Sequence, residues 1–205
     1  MNVTLETGST DQTVSITSIS SATSASGTYT VAAGDESSDL TVKSIAVSGT
    51  ISDATDQAMV DFSVGSNLAS SSAIVVDGVA PTVTSVKSTS TNTTYGTGAL
   101  INITVNFSEK VILTGGPGVI TVTLETGSTD RTVSITSISN DTTASGTYTV
   151  QDGDASNDLD VNSIALTTGS LTDAAGNAMS VFTIPSGSNL SDFNAIIINT
   201  TIIIF

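Results

Sequence analysis

The chain has 205 residues, 19 of them acidic against four Lys and Arg, for a formal net charge of −15, and it lacks Cys, His and Trp. That balance has the wrong sign for a nucleic-acid surface, and the missing Cys excludes disulfides, thiolate nucleophiles and sulfur-ligated metals. A hydrophobic content of 38% supports buried cores, and a chain so one-sided in charge repels itself unless cations or salt screen it.

From the N-terminus, the first readable stretch is Val3–Ser20, VTLETGSTDQTVSITSIS, and it returns at Val122–Ser139 as VTLETGSTDRTVSITSIS. The match continues: Gly27-Thr28-Tyr29-Thr30-Val31 recurs at Gly146–Val150, Gly34-Asp35 at Gly153-Asp154, and Ser66-Asn67-Leu68 at Ser188-Asn189-Leu190. Self-similarity of this kind marks an array of like units. A period of about 120 residues is the size of one independently folded domain. The expected division is an incomplete unit over 1–77, a complete unit over 78–199 and an apolar strand over 200–205. Met1 aligns with Ile120, so the first unit has no counterpart of Gly78–Val119 and is expected to lack its N-terminal strands.

Val76-Asp77-Gly78-Val79-Ala80-Pro81-Thr82 joins the units. Pro81 cannot donate to a ladder and suits the start of a strand, and so short a joint favours a rod over loose beads. The second unit then alternates apolar with small polar residues, the period of two that marks strands. Strands are predicted at Thr82–Lys87, Leu100–Phe107, Val119–Leu124, Thr132–Ile138, Gly146–Val150, Leu159–Ile164, Val181–Ile184 and Ala195–Ile198. Turn chemistry separates them at Gly96-Thr97-Gly98, Gly115–Gly118, Asp152-Gly153-Asp154 and Ala175-Gly176-Asn177. The fold class that follows is all-β: tandem antiparallel β-sandwiches of immunoglobulin-like type.

The C-terminal Ile202-Ile203-Ile204-Phe205 has two readings: a strand pairing within its own unit, or a donor strand completing a neighbouring subunit. No apolar run is long enough to span a bilayer. Met1 is followed by no basic and apolar leader, so any export signal is expected outside these residues.

In order and spacing, several pieces resemble the immunoglobulin-like tandem repeats of giant bacterial cell-surface adhesins. They are Asp77-Gly-Val-Ala-Pro81-Thr-Val, Ile103-Thr-Val-Asn-Phe107-Ser-Glu109, Leu124-Glu125-Thr-Gly127, Gly146–Val150, Gly153-Asp154, Asp158-Leu159-Asp160 and Asp173-Ala-Ala-Gly-Asn177-Ala-Met. The resemblance implies an extracellular, non-catalytic rod on the cell surface, holding a distant binding domain outward and stiffened by Ca²⁺ near its junctions. Two departures stand out. The first unit has Asp53-Ala-Thr-Asp56-Gln57 where the second has Asp173–Asn177, so its loop geometry is expected to differ, and the second unit ends Asn199-Thr200-Thr201 in place of Asp-x-x-Ala-Pro.

Calcium takes six to eight hard oxygen ligands converging on a tight turn. Asp173 and Asn177 flank such a turn, and Glu109 with the linker residue Asp77 would close a site at the domain pole. Asp154, with Asp152, Asp158 and Asp160, forms a second acidic cluster. Solvated loop acids that keep a Thr-rich surface soluble are the alternative for both. Among the Asn-x-Ser/Thr sequons, Asn92 and Asn140 fall in predicted loops and are the expected glycosylation sites, whereas Asn102 and Asn106 fall on the polar face of a strand. With no His or Cys, no Gly-x-Ser-x-Gly elbow and no phosphate loop, no enzyme is expected. The partners expected are neighbouring repeats or identical subunits, without membrane insertion. Two functions follow: a calcium-stiffened surface stalk, or a self-assembling filament or surface-layer subunit joined by exchanged strands.

Overall fold

The computed structural model describes residues 1–200, Gly116 and Pro117 for their backbone alone. It is all-β, with antiparallel sheets predominating. The only helical elements among the described residues are a 3-10 turn at Leu68–Ser70 and a one-turn helix, α1, at Leu190–Phe193. Two compact units emerge, Met1–Val79 and Ala80–Phe205.

The first unit holds β1 (Asn2–Glu6), β2 (Gln12–Ser15), β3 (Glu36–Ser37), β4 (Thr41–Ala46) and β5 (Val76–Asp77). β1 lies between β2 and β4, and β3 pairs with β5, all antiparallel. Its core is small: Leu5, Leu40 and Val76, with Val3, Val14, Tyr29, Val42 and Leu68 packed against them half-buried.

The second unit holds β6 (Val83–Lys87), β7 (Thr94–Tyr95), β8 (Leu100–Glu125), β9 (Arg131–Ile135), β10 (Ser139–Thr149), β11 (Ala155–Ser156), β12 (Asp160–Thr172) and β13 (Ile197–Asn199). β8 organises it. Its first half pairs with β6 and β10, its second half with β9, and β12 runs along the second half and back to Ile112. Ile101, Ile103, Val105 and Phe107 on one half, and Ile120, Val122 and Leu124 on the other, alternate inward and join a single core with Val133, Tyr148, Leu159 and Leu190. β11, β13 and β7 form a separate small sheet in which β13 and β7 run parallel.

Two expectations need correction. Gly115–Gly118 is not a turn between strands. Thr114 pairs with Ser170 and Val119 with Thr168, so the four residues bulge opposite Gly169 alone. The chains approach closely there: a Cβ on Gly169 would lie 2.5 Å from the Thr114 carbonyl oxygen, so only glycine fits. Val181–Ile184 is not a strand. Phe182 and Ile184 do pack on the core as the alternation predicts, but no ladder partner meets them among the described residues.

The repeated sequence folds in the same register both times. Val3↔Val14 and Thr4↔Ser44 of the first unit reappear as Val122↔Val133 and Thr123↔Ser163, and Ser37↔Val76 as Ser156↔Ile198. Even the departing loop keeps its closure. Asp53 N–H donates to the Gln57 carbonyl at 3.0 Å as Asp173 N–H does to Asn177 at 3.2 Å. Asp56, at φ 63°, takes the left-handed position held by Gly176 at φ 96°, so the expected difference in loop geometry is overturned at the backbone.

Candidate functional site

Register brings two of the sequence-predicted acids together. β12 ends at Thr172, paired with Ile112 of β8, which sets Asp173 beside Glu109. A carboxylate oxygen of each lies within 4.8 Å of the other's, Asp173 buried and Glu109 half-buried. Like charges at this spacing repel, and a hard divalent cation relieves that repulsion.

Asp173 also builds its own turn. Its Oδ1 accepts from the N–H groups of Gly176 at 2.7 Å and Asn177 at 2.8 Å, and its Oδ2 accepts from Asn177 Nδ2 at 2.8 Å. Asn177 therefore positions Asp173 through its amide nitrogen. Asp77 lies in β5 of the first unit, opposite Glu36, with its Oδ1 accepting from Val79 N–H at 3.2 Å.

Asp154 is not available to a cation in the way the acidic cluster suggested. It is buried, and both oxygens are engaged: Oδ1 by Arg131 Nε at 2.7 Å, Oδ2 by the Tyr148 hydroxyl and the Gln151 N–H, each at 2.7 Å. Burial pushes its carboxyl up, but the hydrogen bonds from Tyr148, Arg131 and Gln151 outweigh it and hold the group below the ordinary aspartate value. Burial likewise raises the Tyr148 phenol, and the bond to Asp154 raises it further. The first unit repeats the device with Asp35, which accepts from Gln12 Nε2 at 2.8 Å, the Tyr29 hydroxyl at 2.6 Å and Ala32 N–H at 2.8 Å. These aspartates fasten the strand-to-turn corner of each unit, a role that sequence reasoning missed. The signal was present: Tyr and Asp stay fixed between the copies while Ala33/Asp152 and Glu36/Ala155 change.

A second missed pair is Asn67 and Asn189. Asn189 Oδ1 accepts from Leu190 N–H at 2.8 Å, Asp192 completes a capping box, and Asn189 Nδ2 donates to the Val161 carbonyl at 2.9 Å. Asn67 bridges its 3-10 turn to Val42 in the same way. Asn92 and Asn140 are both exposed, but Asn140 lies within β10 and not in the expected loop: it sits at φ 54°, a conformation that asparagine tolerates, where the ladder to β8 shifts register between Ser139 and Asp141. The candidate donor strand Ile202–Phe205 lies outside the described residues.

Comparison with protein-family models, with curated proteins and with solved structures returns no match. The functional reading rests on the repeat and its geometry.

Proposed function

We propose that the chain is a non-enzymatic, extracellular structural protein whose immunoglobulin-like repeats form a cell-surface stalk stiffened by Ca²⁺. The observation that carries this reading is the doubling itself: one sequence folded twice into the same register, with the same tyrosine bonded to a buried aspartate in each copy. Copying a self-contained β unit adds length and mechanical resistance; it adds nothing to an active site. The calcium ligands proposed are Glu109 and Asp173, with Asp77, only three residues ahead of Ala80, as the third carboxylate.

The test is single-molecule extension of the chain in calcium and in chelator. Repeated unfolding peaks whose force rises with calcium support the stalk. Unfolding at the same force in both conditions removes the metal from the reading, and collapse without force peaks removes the mechanical role.

A further inference from the structure

β12 pairs with β8 along one edge, and along its other edge the chain returns antiparallel as residues 178–189. The two are tied at both ends. At one end, beside the Thr172↔Ala178 bridge, the Met179 N–H donates to the Leu171 carbonyl at 2.8 Å. At the other, Asn189 Nδ2 donates to the Val161 carbonyl at 2.9 Å. Between these ties no ladder forms, and no N–H of residues 180–184 bonds to a β12 carbonyl among the described residues. The backbones part and leave a groove of about 720 Å³ between Val161–Leu166 and the returning Ser180, Phe182, Thr183 and Ile184.

The two sides of the groove nevertheless match residue for residue. Ten positions separate Leu171 from Val161, and ten separate Met179 from Asn189. Counting from either tie therefore sets the same residues opposite each other, Thr167 against Thr183 and Leu166 against Ile184. The faces match as well. Leu171 and Met179 are both buried in the core at one end. Further along, the core-facing positions change from odd to even on both sides, at Leu166 beyond the β12 bulge and at Phe182 and Ile184 on the return. Cross-strand partners must share a face, and here they do at each point. The first unit makes the same two ties without this match: nine positions separate Ile51 from Val42, but eight separate Met59 from Asn67.

We infer that Ser180–Ile184 is a strap that closes onto the free edge of β12 and adds a strand to the sheet, and that the structure holds it open. The hinge is at Gly169, whose φ of 86° bends β12 beside the point where the strap leaves it. Pro185 has no N–H to donate, so the new ladder runs from Met179 and stops at Ile184. Closure covers a bare sheet edge with the chain's own backbone and seals the groove over Ile164 and Leu166. The strap needs neither calcium nor a stalk.

The chain has no Cys, so disulfide trapping in the whole 205-residue protein reads closure without background. Thr167→Cys with Thr183→Cys puts thiols at two exposed positions that closure brings to about 4.5–5.5 Å between Cα atoms, within reach of a disulfide. Thr167→Cys with Val181→Cys is two residues out of register and beyond that reach. In a glutathione buffer the first pair should oxidise at least about tenfold faster than the second. Its oxidised form should exchange the 181–184 amides at least about tenfold more slowly than its reduced form. The Thr167 hydroxyl donates to the Val119 carbonyl at 3.0 Å, so Ala165→Cys with Pro185→Cys repeats the test without disturbing it, and should also crosslink. Equal rates in and out of register, no crosslink in either matched pair, or an oxidised form with no added protection would each overturn the strap. Amides at 181–184 as slow in the reduced protein as in the oxidised one would show a permanent strand and overturn it equally.

Discussion

Arg131 and Gln12 occupy equivalent places in the two units, and each donates to the buried aspartate of its own unit, Arg131 Nε to Asp154 at 2.7 Å and Gln12 Nε2 to Asp35 at 2.8 Å. It is the one difference within an otherwise identical 18-residue stretch. The anchor therefore works with a charged donor or a neutral one, which argues that the tyrosine and the backbone N–H are its constant parts.

Arg131→Gln should then cost less than about 1 kcal/mol, since a partly exposed ion pair contributes little beyond its hydrogen bond. Asp154→Ala strands the buried Tyr148 hydroxyl and the Gln151 N–H without an acceptor and should cost about 2–4 kcal/mol. Urea unfolding of the two variants measures both. Equal losses would mean that the ion pair, and not the tyrosine, holds the corner.

The same anchors set the response to pH. Asp154 is held below the ordinary aspartate value for the reasons given, and Asp35 is lowered chiefly by the Tyr29 hydroxyl and the Ala32 N–H, against a smaller opposing push from burial. A depressed carboxyl contributes stability that is present above its unfolded value, about 3.9, and is lost as pH falls through the folded one. The phenols act in the opposite sense. Burial and the aspartate bond push Tyr29 up to about 12 and raise Tyr148 as well, so their contribution is whole below about pH 10 and fades above it. Urea midpoints should be flat from about pH 5 to 9 and fall on both sides, and Tyr148→Phe should remove part of the alkaline fall.

Much of this architecture was legible because strands announce themselves locally. Ile101, Ile103, Val105 and Phe107 alternate, and alternation alone puts them on one face. Phe182 and Ile184 alternate as well and face the core, yet they form no ladder: period two reports which side is buried, not whether a neighbouring backbone is in reach. Gly115–Gly118 misled for a related reason, since a glycine cluster signals a chain that bends, and a bulge opposite Gly169 bends it as a turn does. At the candidate site, Asp173 and Glu109 could be chosen by residue type and by their resemblance to a repeat. Asp154 could not be told from them by type, because what separates them is the approach of Arg131 and Tyr148 from other strands.

Asn189→Ala removes an N-cap and a tie to the Val161 carbonyl at once. Loss of the cap costs about 1 kcal/mol and leaving the carbonyl without its donor adds a comparable amount, so about 2 kcal/mol is expected. Asn189→Asp keeps the cap and loses only the tie, and should fall between. Thermal or urea unfolding read at one wavelength for all three chains decides it, and an alanine variant as stable as the parent would show that α1 is held by Leu190 burial alone.

Calcium binding should separate the acids by role. Glu109→Gln removes a carboxylate and leaves the hydrogen bonds of the Asp173 turn in place, so the upward shift in melting temperature with calcium should vanish. Asp173→Ala should abolish the shift and also melt earlier without metal, because Gly176 and Asn177 lose the oxygen their N–H groups share, a loss of about 1–2 kcal/mol. Asp154→Asn should behave in the reverse way, destabilised in both conditions and yet still responsive to calcium, since its oxygens serve Arg131, Tyr148 and Gln151. A calcium shift that survives in Glu109→Gln, or that disappears in Asp154→Asn, would move the site away from the end of β12.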